Sequence, residues 1–299
     1  MASPTKPGRA ARVTQPPELL NSRENRWLKE FRMALRGGLP TENGAVGVEG
    51  VRLVEEALGS TCRIEAVLFS ESGERHRERL APWVARPETG FPVLRTTDRL
   101  FEGIADTEHP QGVAALVLPR KIVLEDLFAT PMGACAPLLV VLAGVQDPGN
   151  VGTILRTAAA FGATGAVTAA TGQSGTAGPF APKAMRASAG AALHLPILAG
   201  MSLTILLTQL KVNGIRTLAS YLPEAGSPGG TPISPWEVDW CQPVALLVGN
   251  EGAGLPDEIV RSADARIHIP MATKVESLNA AAAAAVLFYE AFRQRSRRK

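Results

Sequence analysis

The chain reads as an α/β protein of two domains, the second built on a mostly parallel sheet. Three observations predict this. Its 299 residues are enough for two cores of ordinary size. Short apolar runs alternate with helix-period segments along most of its length. A stretch at 121–137 bearing Pro131, Gly133 and Pro137 interrupts that alternation. Hydrophobic content of 45% with 20% charged residues is a globular composition.

Residues 1–20 combine Pro4, Pro7, Pro16 and Pro17 with small and basic residues, which bury too little apolar surface to order themselves, so a disordered basic tail is expected. From Asn21 the pattern turns helical, with Trp27, Leu28, Phe31 and Leu35. Strand-like and helical segments then follow at 45–48, 51–58, 64–69, 74–85, 92–94, 99–105 and 112–118, giving a first domain over 21–120. After a linker at 121–137, the second domain spans 138–299. Its strands are expected at 138–145, 166–169, 193–195, 215–219, 244–248 and 266–269, with helices between them and a Pro- and Gly-rich surface loop at 223–235.

Several function classes drop out. No apolar stretch reaches the roughly 18 residues a membrane helix needs. The first twenty residues lack the apolar core of a secretory signal, so a cytoplasmic protein is expected. Cys62, Cys135 and Cys241 are odd in number and far apart, and His76, His109, His194 and His268 show no ligand spacing, so neither a disulfide framework nor a metal is expected. The glycines at 249, 252 and 254 have the wrong spacing for a dinucleotide fingerprint, and no phosphate-loop motif occurs. A net charge of +3 is only mildly basic. The basic residues cluster, however, notably around Arg26 and Arg32, a pattern that fits either a solvated helix face or an RNA contact.

Three segments carry chemistry. In each, an apolar run ends in a polar or glycine-bearing loop, where open α/β sheets hold ligands. Segment 147–162 contains Asn150, read as capping the following helix, and Arg156, a fixed planar cation about two turns in. Segment 247–256 contains Gly249, Glu251 and Gly252. Segment 269–279 contains Ile269, Met271, Ser277, Leu278 and Asn279.

In order and spacing these segments resemble the three motifs of the SpoU (TrmH) branch of the SPOUT RNA methyltransferases, and no polar position that marks the family is missing. The first domain resembles it more loosely, through 48–52 and 106–112. The resemblance implies an L30e-like substrate-binding domain followed by a SPOUT domain with a deep trefoil knot, in a homodimer. It also implies transfer of a methyl group from S-adenosylmethionine to a ribose 2'-hydroxyl of RNA. Gly249 and Gly252 would let the backbone approach the adenosine, with Ile269, Met271 and Leu278 as walls. Asn150 would hold the ribose, while Ser277 and Asn279 complete the pocket, Ser277 doubling as a helix cap. Glu251 would orient Arg156 bidentately. Arg156 would stabilise the developing alkoxide while an RNA phosphate or a transiently neutral guanidine takes the proton. Lys183 and Arg186, in 182–190, resemble a further family segment near the site and join Arg26 and Arg32 as candidate RNA contacts. Ribosomal RNA is the expected substrate. Transfer RNA, a resistance role at a drug-binding nucleotide, and a non-catalytic RNA-binding factor stay open.

Overall fold

A computed structural model describes residues 18–85, 90–129, 136–170, 175–222, 231–272 and 277–297. Most of the expected tail, Cys135, part of the 121–137 linker, part of the 223–235 loop, and 273–276 of the third motif lie outside the described residues.

The first domain runs β1 (Glu18–Leu20), α1 (Arg26–Leu35), β2 (Val46–Glu49), α2 (Val51–Gly59), β3 (Arg63–Ser70), α3 (Arg77–Val84), β4 (Val93–Thr96), α4 (Asp98–Glu102) and β5 (Val113–Leu118). Its mixed sheet has the order β1-β4-β3-β5-β2. Residues 18–20, expected to belong to the tail, are therefore a strand. Glu18–Leu20 pairs with β4, Leu20 is buried, and the Thr96 hydroxyl donates to the Leu20 carbonyl. Two adjacent leucines that find a free sheet edge outweigh the prolines before them. α1 starts where Asn25 Oδ1 accepts from Trp27 N, and it buries Leu28, Phe31, Ala34 and Leu35 on one stripe. Each buried Leu or Phe there contributes about 1.5–3 kcal/mol.

The linker is partly structured. It holds α5 (Leu124–Phe128), whose Leu127 packs into the core of the second sheet with Leu139 and Val141. The second domain then runs β6 (Leu138–Ala143), α6 (Pro148–Ala160), β7 (Gly165–Ala170), α7 (Pro182–Ser188), β8 (Ile197–Ser202), α8 (Leu203–Val212), β9 (Arg216–Ser220), β10 (Val244–Val248), α9 (Asp257–Ser262), β11 (Ala265–Ile267) and α10 (Ala280–Ser296). One expected strand moves. Residues 191–193 form a 3-10 turn, and the strand begins beyond Pro196 at Ile197. Leu193 and Leu195 are buried, but by the packing of the turn after Gly190, which has φ +84°, and not by sheet pairing.

All six strands of this sheet are parallel, in the order β11-β9-β10-β6-β7-β8. From β6 the chain steps outward through β7 and β8, then crosses to β9 on the other side. The order reverses between neighbours β6 and β10, and the loops leaving their carboxyl ends meet at that point. α10 closes the domain. Its buried Arg295 donates to the carbonyls of Ala136, Pro137, Trp240 and Gln242 at 2.6–3.2 Å, tying the helix end to the starts of β6 and β10. One apolar cluster spans both domains, joining Val51 and Val54 of α2 to Met185 of α7 and to Leu138 and Val140 of β6. No helix among the described residues is long and apolar enough to cross a membrane.

Candidate active site

The loop after β10 folds on itself before it faces anything else. Asn250 N and Gly254 N exchange hydrogen bonds with the opposite carbonyls, and Asn250 Oδ1 accepts from Gly252 N and Ala253 N, each at 2.9 Å. Gly254 takes φ +66°. A Cβ on Gly249 would fall 2.4 Å from the Gly254 carbonyl carbon, so the absent side chain at 249 permits this closure. That differs from the expectation that Gly249 admits a ligand. Gly252 does face open space, with only Asn250 Oδ1 within 4 Å of a built Cβ.

Glu251 is then presented to the loop leaving β6. Its carboxylate accepts from Gln146 N at 3.2 Å, Asp147 N at 3.1 Å and Asn150 Nδ2 at 2.9 Å. Burial acts to raise the Glu251 carboxyl, but the hydrogen bonds from Asn150 and the backbone outweigh it and hold the group below its ordinary value. Asn150 Oδ1 in turn accepts from Asn279 Nδ2 at 3.1 Å, and Asn279 Oδ1 caps α10 by accepting from Ala281 N at 2.8 Å. One chain of hydrogen bonds thus links all three motifs.

Two capping assignments change. α6 is capped by Asp147, whose Oδ1 accepts from Gly149 N at 3.0 Å, with Pro148 opening the helix, which leaves the Asn150 side chain free for Glu251 and Asn279. α10 is capped by Asn279 and not by Ser277, because the helix begins at Ala280.

Beside this network lies a cavity of about 480 Å³ at the carboxyl ends of β9, β10 and β11. Gly249, Glu251, Gly252, Ile269, Met271, Ser277, Leu278 and Asn279 all line it. Other parts of its wall were not anticipated from the sequence, among them Tyr221 and Leu222 after β9, Asp257 at the start of α9, and Ala283, Ala284 and Leu287 of α10. The rule that ligands gather at strand carboxyl ends would have pointed to Tyr221 and Leu222. The alanine run of α10 has a visible use, because small residues there leave the cavity open.

Arg156 stands apart. It lies six residues beyond Asn150, about 9 Å along α6 and about 120° around it, exposed and outside the cavity lining. The Glu251–Arg156 pairing is not formed. Glu251 is occupied by Gln146, Asp147 and Asn150, and among the described residues Arg156 has no hydrogen-bond or ion-pair partner. Nearby, Phe161 packs edge-on to Tyr289 and tilted against Phe292, and Val286, Tyr289 and Phe292 form an exposed apolar row on α10.

The candidate RNA-contacting cations are partly committed. Arg26 pairs with Glu30 at 2.8 Å and sits over the Trp27 ring, and Arg32 is half-buried in the last turn of α1. Lys183 pairs with Asp147, and Arg186 with Asp106, each at 2.6 Å. Among the described residues, no group of three or more His, Cys, Asp or Glu is placed to hold a metal ion.

Residues 137–289 match the model of the SpoU rRNA Methylase family, and residues 41–115 match that of the MRM3-like substrate binding domain. The chain is 31% identical to the 23S rRNA (guanosine(2553)-2'-O)-methyltransferase RlmP of Bacillus subtilis, over 90% of this chain and 97% of that one. Among solved structures it resembles the AdoMet-bound rRNA methyltransferase from Sinorhizobium meliloti, with TM-score 0.75 and 30% identity over 92% of this chain and 97% of that one. It also resembles the SpoU methyltransferase AviRb from Streptomyces viridochromogenes in complex with AdoMet, with TM-score 0.74 and 26% identity over 91% and 99%. The chain belongs to the SpoU rRNA methylase family, with an α/β substrate-binding domain preceding the methylase domain.

Proposed function

We propose that the protein methylates a ribose 2'-hydroxyl of ribosomal RNA, using S-adenosylmethionine held in the cavity beside Asn279. The observation that carries this is the convergence of the three motif loops, bonded Glu251 to Asn150 to Asn279, on the edge of that cavity. Its volume and mixed apolar and polar walls suit a ligand of the cofactor's size. Ile269, Met271 and Leu278 are the apolar walls, with Gly249 and Gly252 in the loop beside them, and the bound cofactor supplies an electrophilic methyl group.

The residues of the chain have three tasks. Asn150 and Asn279 fix the polar rim and position the ribose, with Ser277 beside them. Glu251 keeps Asn150 aligned. Arg156 stabilises the alkoxide that develops as the hydroxyl loses its proton to a phosphate of the RNA or to a transiently neutral guanidine.

An Arg156 with no partner among the described residues and outside the cavity lining fits a site completed by a second copy. The apolar row of Val286, Tyr289 and Phe292, next to Phe161, is the surface through which a homodimer would form. The return of the chain from β11 to seat α10 against α6 is the path on which the family's trefoil knot would be tied. Arg26 and Arg32 on the substrate domain, and Lys183, which pairs with the α6 cap Asp147, would meet RNA phosphates. With ribosomal RNA as its substrate, the protein would act in the cytoplasm.

Mapping 2'-O-methyl groups in RNA from cells with and without the protein tests this. Loss of one ribosomal methyl group is expected. Loss from a transfer RNA moves the substrate class, and an unchanged map in every RNA contradicts the reading.

A further inference from the structure

Lys183 and Arg186 lie three residues apart on α7, so they share one edge of the helix, and each reaches a carboxylate from a different part of the molecule. Lys183 Nζ meets Oδ1 of Asp147, the cap of α6. Arg186 Nη1 meets Oδ2 of Asp106, in the loop between α4 and β5 of the first domain. That loop is itself pinned. Asp106 N donates to Glu49 Oε2 at 2.8 Å, the Thr107 hydroxyl donates to the other oxygen of the same carboxylate, and Gln111 Oε1 accepts from Val51 N at 2.9 Å. Glu49 is only 8% exposed, so its charge is satisfied almost wholly by this loop.

Beneath the two ion pairs α7 has little freedom. Buried Met185 belongs to an apolar cluster that includes Val48 and Leu53 of the first domain and Val151, Ile154 and Leu155 of α6. Gly152 of α6 lies so close to α7 that a Cβ would come within 2.2 Å of the Ala184 carbonyl oxygen. Two backbones in such contact move together.

We propose that α7 is a strut between the two domains and that Arg186 is a positioning residue. The Arg186–Asp106 pair sets where the substrate domain stands relative to α6, and therefore which ribose of a docked RNA reaches the cavity. This rests on the reading that the first domain binds RNA and the second transfers methyl. The pair is half-exposed, with side chains 39% and 29% accessible, so breaking it shifts a local equilibrium only about two- to fivefold and leaves the fold intact. Misplacing a reacting hydroxyl by about an ångström, in contrast, costs up to a hundredfold in rate. A weak contact can govern selection without governing stability.

The test compares wild type, Arg186→Gln, Asp106→Asn and the swapped double variant Arg186→Asp with Asp106→Arg. The substrate is an unmodified full-length 23S ribosomal RNA transcript, with product riboses mapped and cofactor affinity measured in parallel. Each single variant should lose about tenfold in kcat/KM for the RNA and spread product to neighbouring riboses, with cofactor affinity within about twofold, and the swap should recover most of both. Wild-type rate and site in the single variants would overturn the proposal. So would a loss in Arg186→Gln alone that the swap fails to recover, since the cation would then be a direct RNA contact. If wild type methylates no RNA, the functional reading fails, and amide exchange still decides on the strut. Exchange at 106–112 and at 148–153 should rise about threefold in both single variants, and unchanged exchange at 148–153 would refute it.

Discussion

The two ends of α6 meet different surroundings. Its first turn is enclosed: Asp147 caps it and pairs with Lys183, Asn150 bridges Glu251 and Asn279, and Gly152 is pressed against α7. About two turns on, Arg156 stands exposed with no partner among the described residues, on the helix whose end, Phe161, meets the exposed apolar row of α10. On the proposed function, the bonded rim beside the cofactor cavity is preorganised within one chain, whereas the guanidinium proposed to meet the developing alkoxide is left exposed, for RNA and a second copy to enclose. The fold commits the first set of polar groups internally and leaves Arg156 uncommitted.

The largest loss is expected at Ala283, which lines the cavity from α10. Ala283→Trp should fill that space and weaken S-adenosylmethionine binding by about a hundredfold, as overpacking of a fitted wall costs about 1–3 kcal/mol. Calorimetry measures it, and near-normal affinity would mean that the cofactor lies elsewhere.

Arg156→Ala should do the reverse. Single-turnover methyl transfer should fall by about a hundredfold, the scale of removing one charge-stabilising donor, while cofactor affinity stays within about twofold. Arg156→Lys separates charge from planar geometry, and a near-normal rate in it would show that charge alone suffices.

Tyr289→Glu places a carboxylate in the apolar row of α10. If that row is the dimer face, desolvating the new charge should weaken self-association by about a hundredfold. Light scattering across a concentration series reads this, and an unaltered dimer would exclude the row as the interface.

The smallest effect is expected within the bonded network. Glu251→Gln turns one of the acceptor oxygens into a donor and should cost about tenfold in cofactor affinity through loosened loops. Because the folded carboxyl is held below its ordinary value, its contribution is complete above about pH 4.3 and is lost only as pH falls through the lower folded value. Affinity in the wild type should therefore be flat from about pH 8 down to about pH 4.3 and decline only below that, a decline the Gln variant should lack.

Much of the architecture is legible because it depends on local pattern. Apolar runs such as Leu138–Ala143 and Val244–Val248 are buried on both faces and read as parallel strands without ambiguity. The cavity wall was legible for the same reason, since its loops sit where such strands end. Three features were not. The pairing of Glu18–Leu20 with β4 depends on an edge more than seventy residues away. The partner of Glu251 was misassigned because Asn150 and Arg156 share a helix but point about 120° apart, and only the tertiary placement of the β10 loop decides between them. Arg186 looked like a solvated or RNA-facing cation because its carboxylate belongs to the other domain.

The split between the two halves of the site is tested most directly by mixing variants. Arg156→Ala keeps its cavity and lacks the guanidinium, while Ala283→Trp keeps the guanidinium and lacks the cavity. Unfolded together and refolded at equal concentration, random pairing puts one intact site in about half of the dimers, so about a quarter of wild-type methyl transfer to ribosomal RNA should return. Transfer no greater than the sum of the two variants measured separately would contradict the account, because each Arg156 would then have to serve the cavity of its own chain.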